Sequence, residues 1–385
     1  MLIAIMVVGL GEELWSRFIP KYLEFFNATP WVIAAYGTLR DILDALYQYP
    51  GGWLADRLGR RRSLLVFILS AIVGYGCYLI SDGWWGILVG TIFVMAWTSL
   101  SSPAVFAIIG DNLPPNKRSV GFGVQAIIKR LPIIIAPTIG GFLILNLGLQ
   151  QGMRLGFMLT ILCAALSMLV IMRLYREDRT TSSDALQIRH LWRDMDPRLK
   201  RLLAADCLVR WAEGIPKVFI ILYVMNIAHA TAFQFGWLTT VQMVASIVFY
   251  IPIAKLSDEF NRKPFILLTF AFFALFPLIL VQSFSLAWIV VAFIVGGLRE
   301  IGEPARKALI VDLAKASARG RGVGLYYLIR GAAVLPASIV GGWLWSKDPT
   351  WPFYAAFGIG LVGMVLYMFI GTGDTKDLAS LERGT

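Results

Sequence analysis

Apolar residues run along this chain in blocks of about twenty, separated by short polar connections. A helix needs roughly twenty such residues to cross the hydrocarbon of a bilayer. On that measure the pattern predicts twelve spans, at 2–24, 31–55, 63–81, 85–110, 120–145, 154–175, 202–226, 233–256, 265–282, 286–312, 322–346 and 351–371. The connections sort by charge. Those around Arg57 to Arg62, Lys117-Arg118, Arg173 to Arg201, Lys255 to Lys263 and Lys315 to Arg321 are basic; those around Asn27, Asp82, Asn146, His229 and Ser283 hold almost no Lys or Arg. Basic connections stay on the cytoplasmic side, so both termini are expected in the cytoplasm, with the chain integral to the cell (inner) membrane. The first span carries Glu12 and Glu13 and has no basic leader, so it reads as a span rather than a cleavable signal peptide. A start inside a span leaves room for a short cytoplasmic tail ahead of Met1.

Composition sharpens this to an all-α integral membrane protein. Of 385 residues 58% are hydrophobic and 15% charged, and the mean hydropathy is +0.70, outside the soluble range. The net charge of +11 would suit nucleic acid in a soluble protein. Here the basic residues sit in the connections, where they face an anionic inner leaflet, so no nucleic-acid partner is expected. Cys77, Cys163 and Cys207 lie singly in or beside apolar segments, and His190 and His229 are far apart. That spacing supports neither a metal site nor a catalytic triad. No phosphate loop occurs either, so the expectation is a protein that is not an enzyme, without cofactor or metal, that draws its energy from a gradient.

The chain also repeats itself. Ile19-Pro20-Lys21 after Trp15 returns as Ile215-Pro216-Lys217 after Trp211; Pro103-Ala104 and Asp111 return as Pro304-Ala305 and Asp312; Gly140-Gly141 returns as Gly341-Gly342, and Lys129 falls where Arg330 stands. The matches keep order and direction, which predicts parallel repeats. Domains are therefore expected at 1–176, a six-helix bundle; 177–200, a cytoplasmic linker; 201–372, a second six-helix bundle; and 373–385, a cytoplasmic tail. Within the linker His190 to Met195 reads equally as an interfacial helix or a plain tether.

The most distinctive stretch is Gly52-Trp53-Leu54-Ala55-Asp56-Arg57-Leu58-Gly59-Arg60-Arg61, with a weaker copy from Ala254 to Lys263. It resembles the signature loop between helices 2 and 3 of the major facilitator superfamily of secondary transporters. The resemblance implies two pseudo-symmetric six-helix bundles that rock about a central cavity, alternating access, and a monomer. It also implies that Asp56, Arg57, Gly59, Arg60 and Arg61, with Asp258 and Arg262 in the second copy, latch the cytoplasmic side. Asp56 would face a helix N-terminus, where a carboxylate is favoured; Asn261 departs from the pattern at the position of Gly59. Gly123, Pro137, Gly140 and Gly141 resemble the superfamily's antiporter motif, with Pro132 and Ala136 in place of glycines.

Spans 3, 6, 9 and 12 are uncharged inside, whereas spans 1, 2, 5, 7, 10 and 11 carry ionisable groups deep in apolar sequence. Such groups avoid lipid, so they are expected to line a wet cavity or to bridge helices. Candidate proton carriers are Glu13, Asp41, Asp44 and Glu303. Candidate solute contacts are Arg17, Lys21, Arg40, Lys129, Lys217, Arg299, Tyr326, Tyr327 and Arg330. Lys129 and Arg330 lack an acid on their own helices, so they either borrow one from helices 1, 2 or 10 or await an anion. The basic excess leans toward an anionic or zwitterionic small organic solute moved with protons. The alternatives are a proton-coupled multidrug exporter and, in another class, a membrane sensor or assembly subunit that does not transport.

Overall fold

The computed structural model describes residues 2–100, 118–174, 195–259, 261–313 and 319–371, and among them every regular element is helical. The helices follow the apolar blocks. They are α1 (Leu2–Glu13), α2 (Ile19–Phe25), α3 (Pro30–Leu58), α4 (Arg60–Ile80), α5 (Trp84–Met95), α6 (Arg118–Leu147), α7 (Leu149–Leu174) and α8 (Pro197–Gly214). The rest are α9 (Ala232–Glu259), α10 (Arg262–Val281), α11 (Leu286–Leu298), α12 (Glu303–Leu313), α13 (Arg319–Val334), α14 (Ala337–Trp345) and α15 (Trp351–Ile370). Seven stretches among the described residues are long and apolar enough to cross a membrane: Arg61–Ile80, Arg130–Leu147, Leu149–Arg173, Ala232–Tyr250, Arg262–Val281, Val323–Trp345 and Trp351–Ile370. The chain is an integral membrane protein. On α7 the exposed side chains Met158, Leu162, Leu166, Leu169 and Met172 recur every three or four residues, an apolar stripe suited to lipid.

Of the expected spans without such a stretch, the fourth leaves the described residues after Leu100, and the others are broken or charged. Proline explains two breaks, because its ring displaces the carbonyl four residues back and it has no N–H to donate. Pro20 lies in the first turn of α2, after a tight turn at Ser16–Phe18. Pro216 follows the end of α8 at Gly214, and the chain regains helix only at Ile220–Leu222. The repeated Ile-Pro-Lys is thus a repeated helix break. A glycine seals each one: a Cβ on Gly140 would strike the Leu14 carbonyl oxygen, and one on Gly341 the Ile215 carbonyl oxygen.

The signature corner is a backbone device. Gly59 joins α3 to α4 at φ 87° and ψ 153°, a region essentially reserved for glycine. At the corresponding position Asn261 has φ −62°, and its side chain accepts from the Lys263 N–H at 2.8 Å, capping α10. The second corner therefore needs no glycine. Gly59→Ala should strain the turn by about 1–3 kcal/mol and lower the thermal midpoint of the detergent-solubilised protein, whereas Asn261→Gly should cost only a few tenths.

By packing, the chain divides into two compact units. One comprises Met1–Asp184 with Ile221–Thr240, the other Ala185–Ile220 with Val241–Thr385. In the first, α1 packs on α6 and α7, and α4 on α5 and α7. Trp15, at the break after α1, meets Tyr75, Tyr78 and Phe157 edge-on with ring centroids 5.3–5.5 Å apart. Its indole donates to Thr160 Oγ1 at 2.9 Å, and that hydroxyl donates to the Gly11 carbonyl at 2.7 Å. Ile221–Thr240 lies against α6 at two glycines. A Cβ on Gly141 would overlap the Ala232 carbonyl oxygen, and one on Gly236 the Pro137 carbonyl oxygen, so the backbones themselves touch. In the second unit α8 and α10 pack on α15, around a core that includes Leu202, Val209, Phe270, Leu309, Tyr326 and Tyr367.

Candidate functional site

Three polar constellations stand out, two in the first unit and one in the second. The first is a narrow cleft with room for about one water molecule, whose polar lining is Glu12, Ser16, Tyr36, Arg40, Tyr78 and Thr91, with Trp15 as its largest apolar wall. Thr98 Oγ1 donates to Glu12 Oε1 at 2.9 Å. The Arg40 guanidinium lies 5.8 Å from the Tyr36 ring centroid, within cation–π range. Glu12 rather than its neighbour Glu13 lines the pocket; Glu13 instead meets Arg17 at 3.4 Å. Of the residues chosen from sequence on this span, Glu13 is thus an ion-pair partner of Arg17, and Lys21 pairs with Glu24 beyond the helix break. On α3, Asp41 is half-buried, and Asp44, one turn on, accepts from Ser99 Oγ at 2.7 Å.

The second constellation ties α2 to the irregular turn Tyr223–Ile227. Lys21 Nζ donates to Glu24 Oε2 at 2.6 Å and to the amide oxygen of Asn226, whose Nδ2 donates to Glu24 Oε1 at 2.7 Å. Three groups satisfy one another in a ring. Deeper along the same seam, Thr138 and Thr240 hydroxyls bond at 2.8 Å, and Thr240 also bonds the Ile134 carbonyl.

The third is an ionic cluster around Asp206, which is fully buried. Its carboxylate bonds Arg306, accepts from Tyr326 Oη at 2.8 Å, and lies 3.5 Å from Arg330 and 3.8 Å from Arg210. Arg210 also reaches Glu213 at 2.7 Å and Glu303 at 2.8 Å, and Arg306 bonds Glu303. The carboxylates Asp206, Glu213 and Glu303 thus interleave with the guanidiniums of Arg210, Arg306 and Arg330. Rings flank the cations: Arg299 lies 4.6 Å from the Phe276 centroid and 5.2 Å from that of Phe273, and Arg330 4.6 Å from that of Tyr327.

Asp206 was missed in the sequence, although it stands one helical turn before Arg210, the spacing at which opposite charges on a helix meet. It supplies the acid that Arg330 lacked, from α8 rather than from helices 1, 2 or 10. Of the remaining residues singled out from sequence, Lys217 is exposed. Arg57 lies 5.1 Å from the Trp53 ring, Arg61 bonds the Met172 carbonyl, and Arg262 pairs with Asp312 at 2.6 Å. The side chains of Asp56, Arg60, Lys129 and Asp258 lie outside the described residues, as do Asp111, most of the linker and the tail. Among the described residues no group of His, Cys, Asp and Glu could hold a metal ion.

Comparison with known proteins agrees with this architecture. The Major Facilitator Superfamily model matches residues 1–209 and again 202–384, so the chain belongs to that superfamily and is a secondary transporter working by alternating access. It is similar to an MFS-type transporter of Methanocaldococcus jannaschii, 20% identical over 370 residues, 94% of this chain and 91% of that protein. It is also similar to the multidrug resistance protein MdtH of Salmonella paratyphi C, 22% identical over 371 residues, 91% of this chain and 87% of that protein. Among solved structures the nucleoside transporter NupG superposes with a TM-score of 0.79 at 11% identity, covering 96% of this chain and 99% of that one.

Proposed function

We propose that this chain is a proton-coupled exporter of lipophilic, aromatic cations, built as twelve spans in two six-helix bundles with both termini in the cytoplasm. The observation that carries the reading is the pairing of its intramembrane basic groups. Arg17 meets Glu13, Lys21 meets Glu24, and Arg210, Arg306 and Arg330 share Asp206, Glu213 and Glu303. The basic excess that favoured an anionic or zwitterionic solute was counted along the sequence, where these partners are invisible. Once paired, it no longer calls for an anion. The cleft at Glu12 sets a carboxylate and the Arg40 guanidinium among Trp15, Tyr36 and Tyr78, a mixed aromatic and charged lining in which a lipophilic cation would take the place of Arg40 over the rings. Similarity to a multidrug resistance protein over most of the chain supports the same class.

The test is ethidium movement in proteoliposomes. An imposed pH gradient, acid inside, should drive ethidium accumulation, and tetraphenylphosphonium should compete with it while citrate and phosphate should not. Glu12→Gln should reduce the driven uptake at least tenfold, as expected for losing a charge contact worth about 1.4 kcal/mol or more. Uptake blocked by citrate or phosphate and indifferent to tetraphenylphosphonium would return the solute to the anionic class.

A further inference from the structure

Two helices of the first unit carry their exposed stripes to a shared basic end. On α4 the exposed side chains are Arg62, Val66, Leu69, Val73 and Ile80, spaced three, four or seven apart and so on one face. On α7 the stripe Met158, Leu162, Leu166, Leu169 continues one turn further to Arg173, also exposed. The two helices pack against each other and run antiparallel: Arg61 at the start of α4 bonds the Met172 carbonyl in the last turn of α7, and Tyr78 meets Phe157 toward the other end with ring centroids 5.3 Å apart. Both belong to stretches able to cross a membrane, Arg61–Ile80 and Leu149–Arg173. Each stripe therefore ends, at the same membrane boundary, in an arginine.

These cations lack an acid. Among the described residues no carboxylate pairs with Arg61, Arg62 or Arg173; the bond Arg61 makes is to a neutral carbonyl, and its Nε is buried without a hydrogen-bond partner. Guanidiniums gathered at one place repel unless an anion lies among them. Membrane topology asks only for basic residues on this side, and the second unit meets that demand differently. The register that sets Gly59 on Asn261 puts Pro264 where Arg62 stands. There Arg262 is satisfied by Asp312 at 2.6 Å, and α15, the counterpart of α7, has no basic residue in its last turn. The arginine corner belongs to the first unit alone.

We propose that this corner binds the phosphate of an anionic phospholipid, whose acyl chains lie along the stripes of α4 and α7. Guanidiniums receive phosphate oxygens two at a time, and basic pockets between spanning helices are where anionic headgroups lodge. Arg61 ties the two helix ends together, and Arg62 and Arg173 present a cation from each helix. The depth also fits: Arg62 to Val73 spans about 16 Å of helix, against about 15 Å for the hydrocarbon of one leaflet. In the proposed orientation that leaflet is the cytoplasmic one. The site lies within one unit, needs no solute and is independent of what drives transport.

Native mass spectrometry of the full chain, purified in neutral detergent and offered equal dioleoylphosphatidylglycerol and dioleoylphosphatidylcholine, tests it. The unmodified protein should retain one phosphatidylglycerol about tenfold more tightly than phosphatidylcholine. Arg62→Gln with Arg173→Gln spares Arg61 and its bond to α7, so the protein should keep its thermal midpoint in lipid-free detergent while losing about tenfold in phosphatidylglycerol affinity. Arg201→Gln with Lys263→Gln removes the same charge elsewhere and should leave retention within about twofold. Inorganic phosphate, added in about tenfold excess before buffer exchange, should leave the lipid bound, because it lacks the apolar contact with α4 and α7. Equal retention of the two lipids, or equal losses in the two double variants, would overturn the proposal. Displacement by inorganic phosphate would overturn it as well, by assigning the corner to a soluble anion.

Discussion

Asp206→Ala should destabilise the protein by about 3–5 kcal/mol, the largest loss expected from any single side chain outside the apolar core. Its carboxylate is fully buried and faces Arg306, Arg210 and Arg330 together with the Tyr326 hydroxyl. Removing it leaves Arg306, itself only 2% exposed, with Glu303 as its remaining ion-pair partner beside two further guanidiniums. Cations that repelled only weakly in water repel strongly in a poorly polarisable surrounding. Asp206→Asn keeps an acceptor for Tyr326 and should cost less. The check is the thermal midpoint in detergent followed by size-exclusion chromatography: the Ala variant should fall well below both wild type and Asn. A midpoint indistinguishable from wild type would mean that the cluster is held elsewhere.

The helices were legible because bilayer thickness and apolar block length measure the same thing. The repeated Ile-Pro-Lys was legible as sequence, and its meaning follows from proline chemistry: it breaks the helix at Pro20 and again at Pro216. Less legible was anything decided across helices. Arg330 looked short of a partner because Asp206 stands on α8, far away in sequence, and nothing along the chain shows Asp312 lying 2.6 Å from Arg262. Gly141 and Gly236 resemble any other glycines until their carbonyl neighbours are known. Glu12 and Glu13 are adjacent and chemically alike, and only the packing shows that Glu12 faces the pocket while Glu13 meets Arg17.

Locking the seam between α6 and α9 should stop transport completely and reversibly. Thr138 and Thr240 meet hydroxyl to hydroxyl at 2.8 Å, with Gly141 and Gly236 holding the backbones together nearby. Cysteines at the two positions would carry their sulfurs close to disulfide geometry. The ring of Lys21, Glu24 and Asn226 belongs to the same seam. In the proposed two-bundle reading the ring joins spans of different halves, and its polar contacts, each worth about 1 kcal/mol or less when exposed, are weak enough to open and reclose. Lys21→Ala should loosen that ring and raise the accessibility of single cysteines placed at Thr138 or Thr240, because Glu24 and Asn226 lose the cation between them.

Alternating access through this seam is tested most directly by ethidium flux in proteoliposomes carrying Thr138→Cys with Thr240→Cys in a chain whose Cys77, Cys163 and Cys207 are replaced by Ser. Oxidation should abolish gradient-driven uptake, and dithiothreitol should restore it. Full uptake by quantitatively cross-linked protein would show that α6 and α9 never part here, contradicting the account at its centre.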